Sequence, residues 1–163
     1  EENVLSQSII TNAGRSVSRG GEIELLWQAN RDLQLRLGAG WNNAHFTRYL
    51  NDAGDYAGNR PPNAPAYNYN LGADYRIGDW RLRADWLGTG HFYYDTANRE
   101  KEGRYGLLNL RAAYRFKDCE LALWVKNALD EVYATRAFDV GGGTYLGVAG
   151  DPRTVGATLT VRW

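Results

Sequence analysis

The chain has 163 residues, 19 basic and 19 acidic, for a formal net charge of +0. That balance gives no electrostatic case for a nucleic-acid or simple anionic partner, and no run approaches the roughly 20 apolar residues of a membrane helix. With 6 Trp, 11 Tyr, 19 Gly, 1 Cys and 0 Met and a mean hydropathy of −0.54, the composition suits aromatic-rich strands that keep one face polar. A single Cys excludes an internal disulfide framework. The acidic Glu1-Glu2-Asn3 start carries no signal-peptide pattern.

Period-2 patterning predicts eight strands. A weak first one covers about residues 3–11. In the second, Ile23, Leu25 and Trp27 alternate with Glu22, Glu24 and Gln28; in the third, Leu33, Leu35, Leu37, Ala39 and Trp41 alternate with Gln34, Arg36 and Asn42. The fourth sets Tyr67, Tyr69, Leu71, Ala73 and Tyr75 against Asn68, Asn70, Asp74 and Arg76. Trp80, Leu82, Ala84 and Trp86 then oppose Arg81, Arg83 and Asp85, and Leu108, Leu110, Ala112, Tyr114 and Phe116 oppose Asn109, Arg111 and Arg115. Leu121, Leu123 and Val125 follow. The last strand alternates Leu159, Val161 and Trp163 with Thr158, Thr160 and Arg162.

The connections alternate in length. Tight turns are predicted near Ala29–Asp32, Ile77–Asp79 and Lys117–Asp118, with Cys119 in the last of them. Longer loops run through Thr11–Gly20, Leu50–Ala64, Tyr94–Gly103 and Asp139–Asp151. All four prolines fall in long loops or at strand starts, where a missing N–H does no damage. Trp27, Tyr75, Trp80, Phe116 and Trp163 lie at the tight-turn end, and Trp41, Tyr67 and Trp86 lie toward the long loops. Two aromatic girdles, short turns on one side and long loops on the other describe a transmembrane β-barrel of the outer-membrane kind, its apolar face toward lipid. On alternation alone, a soluble barrel with the same face inside would also fit.

Reaction chemistry is not visible. His45 and His91 show no metal-ligand spacing, and Gly141-Gly142-Gly143 lacks the strand–loop–helix context of a phosphate loop. No catalytic residue, metal ligand or cofactor site is assigned.

Four passages in order resemble the C-terminal part of TonB-dependent outer-membrane receptors, in their ferric-siderophore branch. They are Thr11-Asn12-Ala13-Gly14-Arg15 leading to Ser18 through Glu24; Gly58-Asn59-Arg60-Pro61-Pro62-Asn63-Ala64-Pro65 followed by Asn70 through Tyr75; Val125-Lys126-Asn127-Ala128-Leu129-Asp130-Glu131-Val132-Tyr133; and Gly150-Asp151-Pro152-Arg153-Thr154-Val155-Gly156. Trp163 stands where the family usually ends on Phe. The resemblance implies an all-β fold of antiparallel transmembrane strands, with residues 1–163 the C-terminal portion of a 22-stranded barrel whose plug and upstream strands are absent. It implies a bacterial outer-membrane location and uptake of a ferric siderophore or similar chelate, with the metal as cargo. The implied partners are the TonB complex (through the missing plug), outer-membrane lipid and the barrel assembly machinery.

Residue roles follow from the same resemblance. Arg36, Asp74, Arg76, Arg81, Arg83, Asp85, Arg111 and Arg115 would line the lumen against the plug, while also pairing among themselves; Lys126 and Arg162 share that side. Tyr49, Tyr56, Arg60, Tyr93, Tyr94, Arg136 and Tyr145 are loop candidates for ligand capture, since rings stack on flat chelates and guanidinium pairs with anionic ones. Loop packing competes for each ring. Gly156, Leu159, Val161 and Trp163 match the C-terminal signal for barrel insertion. The competing reading is a complete eight-stranded outer-membrane protein, either structural and adhesive or a small enzyme.

Overall fold

The computed structural model describes residues 14–140 and 143–162. Among them are thirteen strands: β1 (Arg15–Gln28), β2 (Leu33–Arg48), β3 (Leu50–Asn51), β4 (Gly54–Asp55), β5 (Tyr67–Ile77), β6 (Trp80–Thr89), β7 (Phe92–Tyr93), β8 (Lys101–Glu102), β9 (Tyr105–Phe116), β10 (Cys119–Lys126), β11 (Ala134–Asp139), β12 (Tyr145–Ala149) and β13 (Thr154–Val161). Seven of them make one antiparallel sheet in the order β1-β2-β5-β6-β9-β10-β13. The other six form three short hairpins, β3–β4, β7–β8 and β11–β12, within the long connections.

Register carries the sequence alternation across the sheet. Leu25 lies opposite Leu37, Leu37 opposite Leu71, and Leu71 opposite Trp86. Further along, Leu123 faces Ala112 on one side and Ala157 on the other. Direct cross-strand partners share a face, so these residues make one continuous apolar surface. The polar set makes the opposite one, joined by Leu26, Leu87, Leu107 and Trp124.

The apolar face is not packed against anything among the described residues. Trp27 is 56% exposed, Phe116 61%, Leu123 60% and Val155 72%. Among the described residues no large side chain is fully buried, and the buried apolar set is Ala44, Phe92, Ala113 and Ala122. An uncovered apolar surface of this extent needs a nonaqueous neighbour.

The three tight turns have local causes. Asn30 Oδ1 accepts the N–H groups of Asp32 at 2.8 Å and Leu33 at 2.9 Å, fixing the β1–β2 corner. Gly78 holds φ 57° in the two-residue β5–β6 loop, a left-handed conformation that such hairpins require. Lys117 takes φ 52° in the equivalent β9–β10 loop.

Several boundaries differ from the sequence reading. The predicted loop through Thr11–Gly20 is strand from Arg15 onward, because β1 continues to pair with β2 out to Arg48. Cys119 opens β10 opposite Phe116 and Val161 rather than sitting in a turn. The Asp139–Asp151 loop contains β12, and Leu50–Ala64 and Tyr94–Gly103 also carry short strands. The weak strand at about residues 3–11 lies outside the described residues.

Candidate functional site: the polar face and the loop cap

All eight residues predicted to line the lumen occupy the polar face, where the register brings six of them, together with Glu120, into two ionic groups. Arg36 reaches across β5 to β6, donating from Nη1 to Asp74 and from Nη2 to Asp85 at 2.9 Å. Arg83 completes the first group with a bidentate contact, Nε to Asp85 Oδ2 at 2.6 Å and Nη2 to Oδ1 at 3.2 Å. In the second, Arg111 Nη2 donates to Glu120 Oε1 at 2.9 Å, and Arg115 Nη2 lies 3.7 Å from Oε2. The planar guanidinium fork explains why arginine recurs here, since it can satisfy two carboxylates in fixed directions.

Cations outnumber their partners. Arg76 and Arg81 are direct cross-strand neighbours, an arrangement that is unfavourable for like charges. Arg76 donates to the carbonyl of Arg31 at 3.3 Å. Neither has a carboxylate at ion-pair distance among the described residues. Toward the loops, a polar concavity of about 720 Å³ lies between Glu22, Asn42 and Asn68 of this face and the Asn63-Ala64-Pro65 segment. A larger concavity of about 890 Å³ runs over the apolar face, where Ala73, Ala84, Ala112 and Ala157 form a trough between bulkier neighbours. It holds no convergent polar groups.

The long loops are fastened to one another. The β2–β5 connection meets the β6–β9 connection through a reciprocal pair: the Arg60 N–H donates to Asn98 Oδ1 at 2.8 Å, and Asn98 Nδ2 donates to the Arg60 carbonyl at 2.9 Å. Asn59 Nδ2 donates to the Thr96 carbonyl at 2.9 Å. The Asn63 N–H donates to the Tyr93 carbonyl at 2.8 Å. The β6–β9 connection meets the β10–β13 connection through Glu102, whose carboxylate accepts the Tyr94 hydroxyl and, at 2.8 Å, the Ala134 N–H. The Tyr145 hydroxyl donates to Asp95 Oδ2 at 3.0 Å, and Tyr105 stacks on Tyr133 with ring centroids 4.5 Å apart.

These contacts set the protonation of the cap. Burial pushes the Tyr94 hydroxyl well above its ordinary range, helped by its bond to Glu102. Burial acts to raise the Asp95 carboxyl, but the Glu100 and Arg99 N–H groups and the Tyr145 hydroxyl outweigh it and hold the group low. Tyr145 is raised in turn by desolvation and by its bond to Asp95.

The predicted capture residues therefore have unequal freedom. Tyr94 and Tyr145 are engaged as loop fasteners. Tyr49 packs edge-on between Phe46 and Tyr56, at 4.8 and 5.5 Å. Tyr93 lies edge-on to His91 at 6.4 Å. Arg136 is exposed, over the Phe138 ring at 5.7 Å. Arg60 donates from Nη2 to the Asn42 carbonyl at 3.3 Å, while its buried Nη1 has no hydrogen-bond partner among the described residues. Sequence reasoning gave no structural role to Asp95, Asn98, Glu102 or Asn127. Asn127 is 3% exposed; its Nδ2 donates to the Glu131 and Asp151 carbonyls and its Oδ1 accepts the Glu131 N–H. Asn98 and Asn127 hold φ 56° and 48°, conformations Asn tolerates better than most residues; Asn127 lies in the third family passage, whereas nothing in the local sequence announces Asn98.

Of the residues predicted to form a C-terminal insertion signal, Leu159 and Val161 lie on the apolar face, opposite Leu121 and Cys119. Gly156 lies on the polar face beneath the Trp124 ring, which a Cβ would approach to 2.2 Å. Trp163 lies outside the described residues.

The same fold is found in known proteins. The pesticin receptor of Yersinia pestis is 27% identical over 162 residues, matching 93% of this chain and 23% of its own length. The crystal structure of the ferric yersiniabactin uptake receptor FyuA from Yersinia pestis superposes with a TM-score of 0.82 at 23% identity, over 92% of this chain and 24% of that one. The siderophore receptor PiuA from Acinetobacter baumannii gives a TM-score of 0.75 at 20% identity, over 88% of this chain and 21% of that one. The chain thus spans about a quarter of the length of the relatives it matches. The family model described as TonB dependent receptor-like, beta-barrel matches residues 2–128, and the chain belongs to that family.

Proposed function

We propose that this chain is the C-terminal portion of the barrel of a bacterial outer-membrane receptor for TonB-dependent uptake of a ferric siderophore or similar metal chelate. The observation that carries the reading is the sheet itself, uncovered and apolar on one face and lined with arginines on the other, in a chain belonging to the receptor family. The apolar face then meets lipid and the polar face the lumen. The edges of the sheet, β1 and β13 among the described residues, would pair with neighbouring strands, because unpaired edges are not tolerated in hydrocarbon. The relatives' length, about four times this chain's, favours this reading over a self-contained eight-stranded barrel. The family is one of transport receptors, so no catalytic step is assigned.

On this reading the surplus guanidinium groups, Arg76 and Arg81 above all, meet acidic groups of the plug that fills the lumen. TonB acts through that plug, and the barrel assembly machinery reads the terminal strand. Exposed Arg136 and the buried Arg60 Nη1 are the loop cations best placed to gain from an anionic chelate.

The size of the native polypeptide tests the reading first. An immunoblot of isolated outer membranes, probed for this C-terminus, should give a band several times larger than 18.3 kDa. Deleting the gene should then abolish growth on at least one ferric chelate from a hydroxamate, catecholate and mixed-ligand panel under iron limitation. A band at 18.3 kDa, or unchanged growth on every chelate, overturns it.

A further inference from the structure

The β11–β12 hairpin has two unlike faces. Its register sets Arg136 opposite Val148, Ala137 opposite Gly147, Phe138 opposite Leu146 and Asp139 opposite Tyr145. Direct partners share a face, and the face alternates along each strand. Ala137, Asp139, Tyr145 and Gly147 therefore make one face, and Arg136, Phe138, Leu146 and Val148 the other. The first is held. Tyr145 donates its hydroxyl to Asp95 of the β6–β9 connection, and Ala137 and Tyr145 are half-buried. The second is bare among the described residues: Phe138 is 52% exposed, Leu146 64%, and Val148 is exposed beside them. Arg136, over the Phe138 ring, borders this patch at the end nearer the sheet.

Direction and continuity together identify what covers the bare face. Opposite faces of a hairpin point opposite ways. The fastened face points to the β6–β9 connection, which lies on the β9 side of β10, so the bare face points the other way, past β13. That strand is an edge of the sheet among the described residues. In a closed barrel another strand pairs with it; antiparallel to β13, that strand runs toward the loop end and continues there into a connection of its own. Each long connection described is tied to the next. Asn98 joins β2–β5 to β6–β9, and Glu102 joins β6–β9 to β10–β13. The neighbour beyond β13 is the next member of that series. The hairpin stands past Lys126 and Thr154, where the β10–β13 ladder ends, among the polar fasteners of the cap. A contiguous apolar patch in such a place marks a protein contact.

We infer that Phe138, Leu146 and Val148 form the docking surface for the loop-end connection that follows the strand paired with β13, carrying the chain of fastened loops across the barrel's closing seam; the inference rests on the receptor reading above. The occupant presents apolar side chains, because the patch offers it no hydrogen-bonding side chain except Arg136 at its border. This joint therefore differs in kind from the other two, which are made by amide and carboxylate groups.

The test labels the full-length receptor on intact cells with a bulky, membrane-impermeant maleimide, without added chelate. Leu146→Cys is compared with Asp52→Cys, an exposed position in the β3–β4 turn, each rate being divided by that of the same thiol in urea-unfolded receptor. The unaltered receptor, with Cys119 at the start of β10, gives the background. Leu146→Cys is expected to react at least tenfold more slowly than Asp52→Cys, and deleting the neighbouring connection should raise its rate at least fivefold while leaving Asp52→Cys unchanged. Equal rates at the two positions overturn the docking surface. Protection that survives the deletion, or that arises only when a ferric chelate is added, overturns its occupant. Should Leu146→Cys not assemble, Val148→Cys takes its place with the same expectations. Should the deletion not assemble, cysteines scanned through the intact connection are expected to form a disulfide with Leu146→Cys at one position at least, and none at any position overturns the contact. A receptor absent from outer membranes would instead refute the reading on which the inference rests.

Discussion

Gly156 sits under an indole ring, and Gly78 sits in a left-handed turn with nothing near its missing Cβ. The two positions exclude side chains for different reasons, and substitutions should separate them. Gly156→Leu collides with Trp124 and is expected to destabilise the receptor by about 1–3 kcal/mol, as overpacking does. Gly78→Val costs only the backbone conformation, about 1–2 kcal/mol, and Gly78→Asn much less. Urea unfolding of the purified receptor in detergent measures all three. The loop fasteners give a pH prediction at the same scale. Asp95 is held below its ordinary value, so its contribution is full above about pH 4, the unfolded Asp value, and fades as pH falls through the lower folded one. Tyr94 is raised, so its contribution is full below about pH 10 and fades only as pH climbs through the higher folded value. Cleavage of the loops by an acid-tolerant protease should therefore be flat from about pH 5 upward through neutrality and rise below about pH 4. Tyr145→Phe should raise it at every pH.

At the scale of the strand, the two faces should respond oppositely to charge. Leu123→Arg, midway along β10 on the apolar face, is expected to cost about 2–4 kcal/mol and to lower the amount of heat-modifiable barrel in membranes. Thr160→Arg, on the polar face opposite Glu120, should be tolerated. This division was legible in the sequence because a period of two leaves no choice once one face is apolar. The start of β1 was not, because Arg15 through Gly20 lies beyond the apolar band and offers Ser, Arg and Gly where alternation would be read. The roles of Tyr94 and Tyr145 were also hidden. Their partners Glu102 and Asp95 lie in two-residue strands and turns without periodicity, so a tyrosine that holds loops together looks the same as one that waits for ligand.

For the whole molecule, the described residues leave much unsatisfied among themselves: two sheet edges, an uncovered apolar face and a surplus of arginine. Each demands a neighbour of a different kind, strand, lipid and acid in turn. Assembly should accordingly depend on the terminal strand reaching the insertion machinery. Deleting Trp163 from the full receptor is expected to lower its outer-membrane level at least severalfold, read by immunoblot of fractionated cells; an undiminished level would refute that role.

The fastened cap also bears on how such a receptor changes over generations. Asn98 serves the β2–β5 loop while lying in the β6–β9 loop, and Glu102 serves the β10–β13 loop from the same segment. Surface loops ordinarily drift independently, each accepting insertions without regard to the next. Here an insertion in the middle loop would unseat both of its neighbours at once. Selection for altered loops would meet a surface whose three parts must vary together, and change in the middle loop would require matched changes on either side.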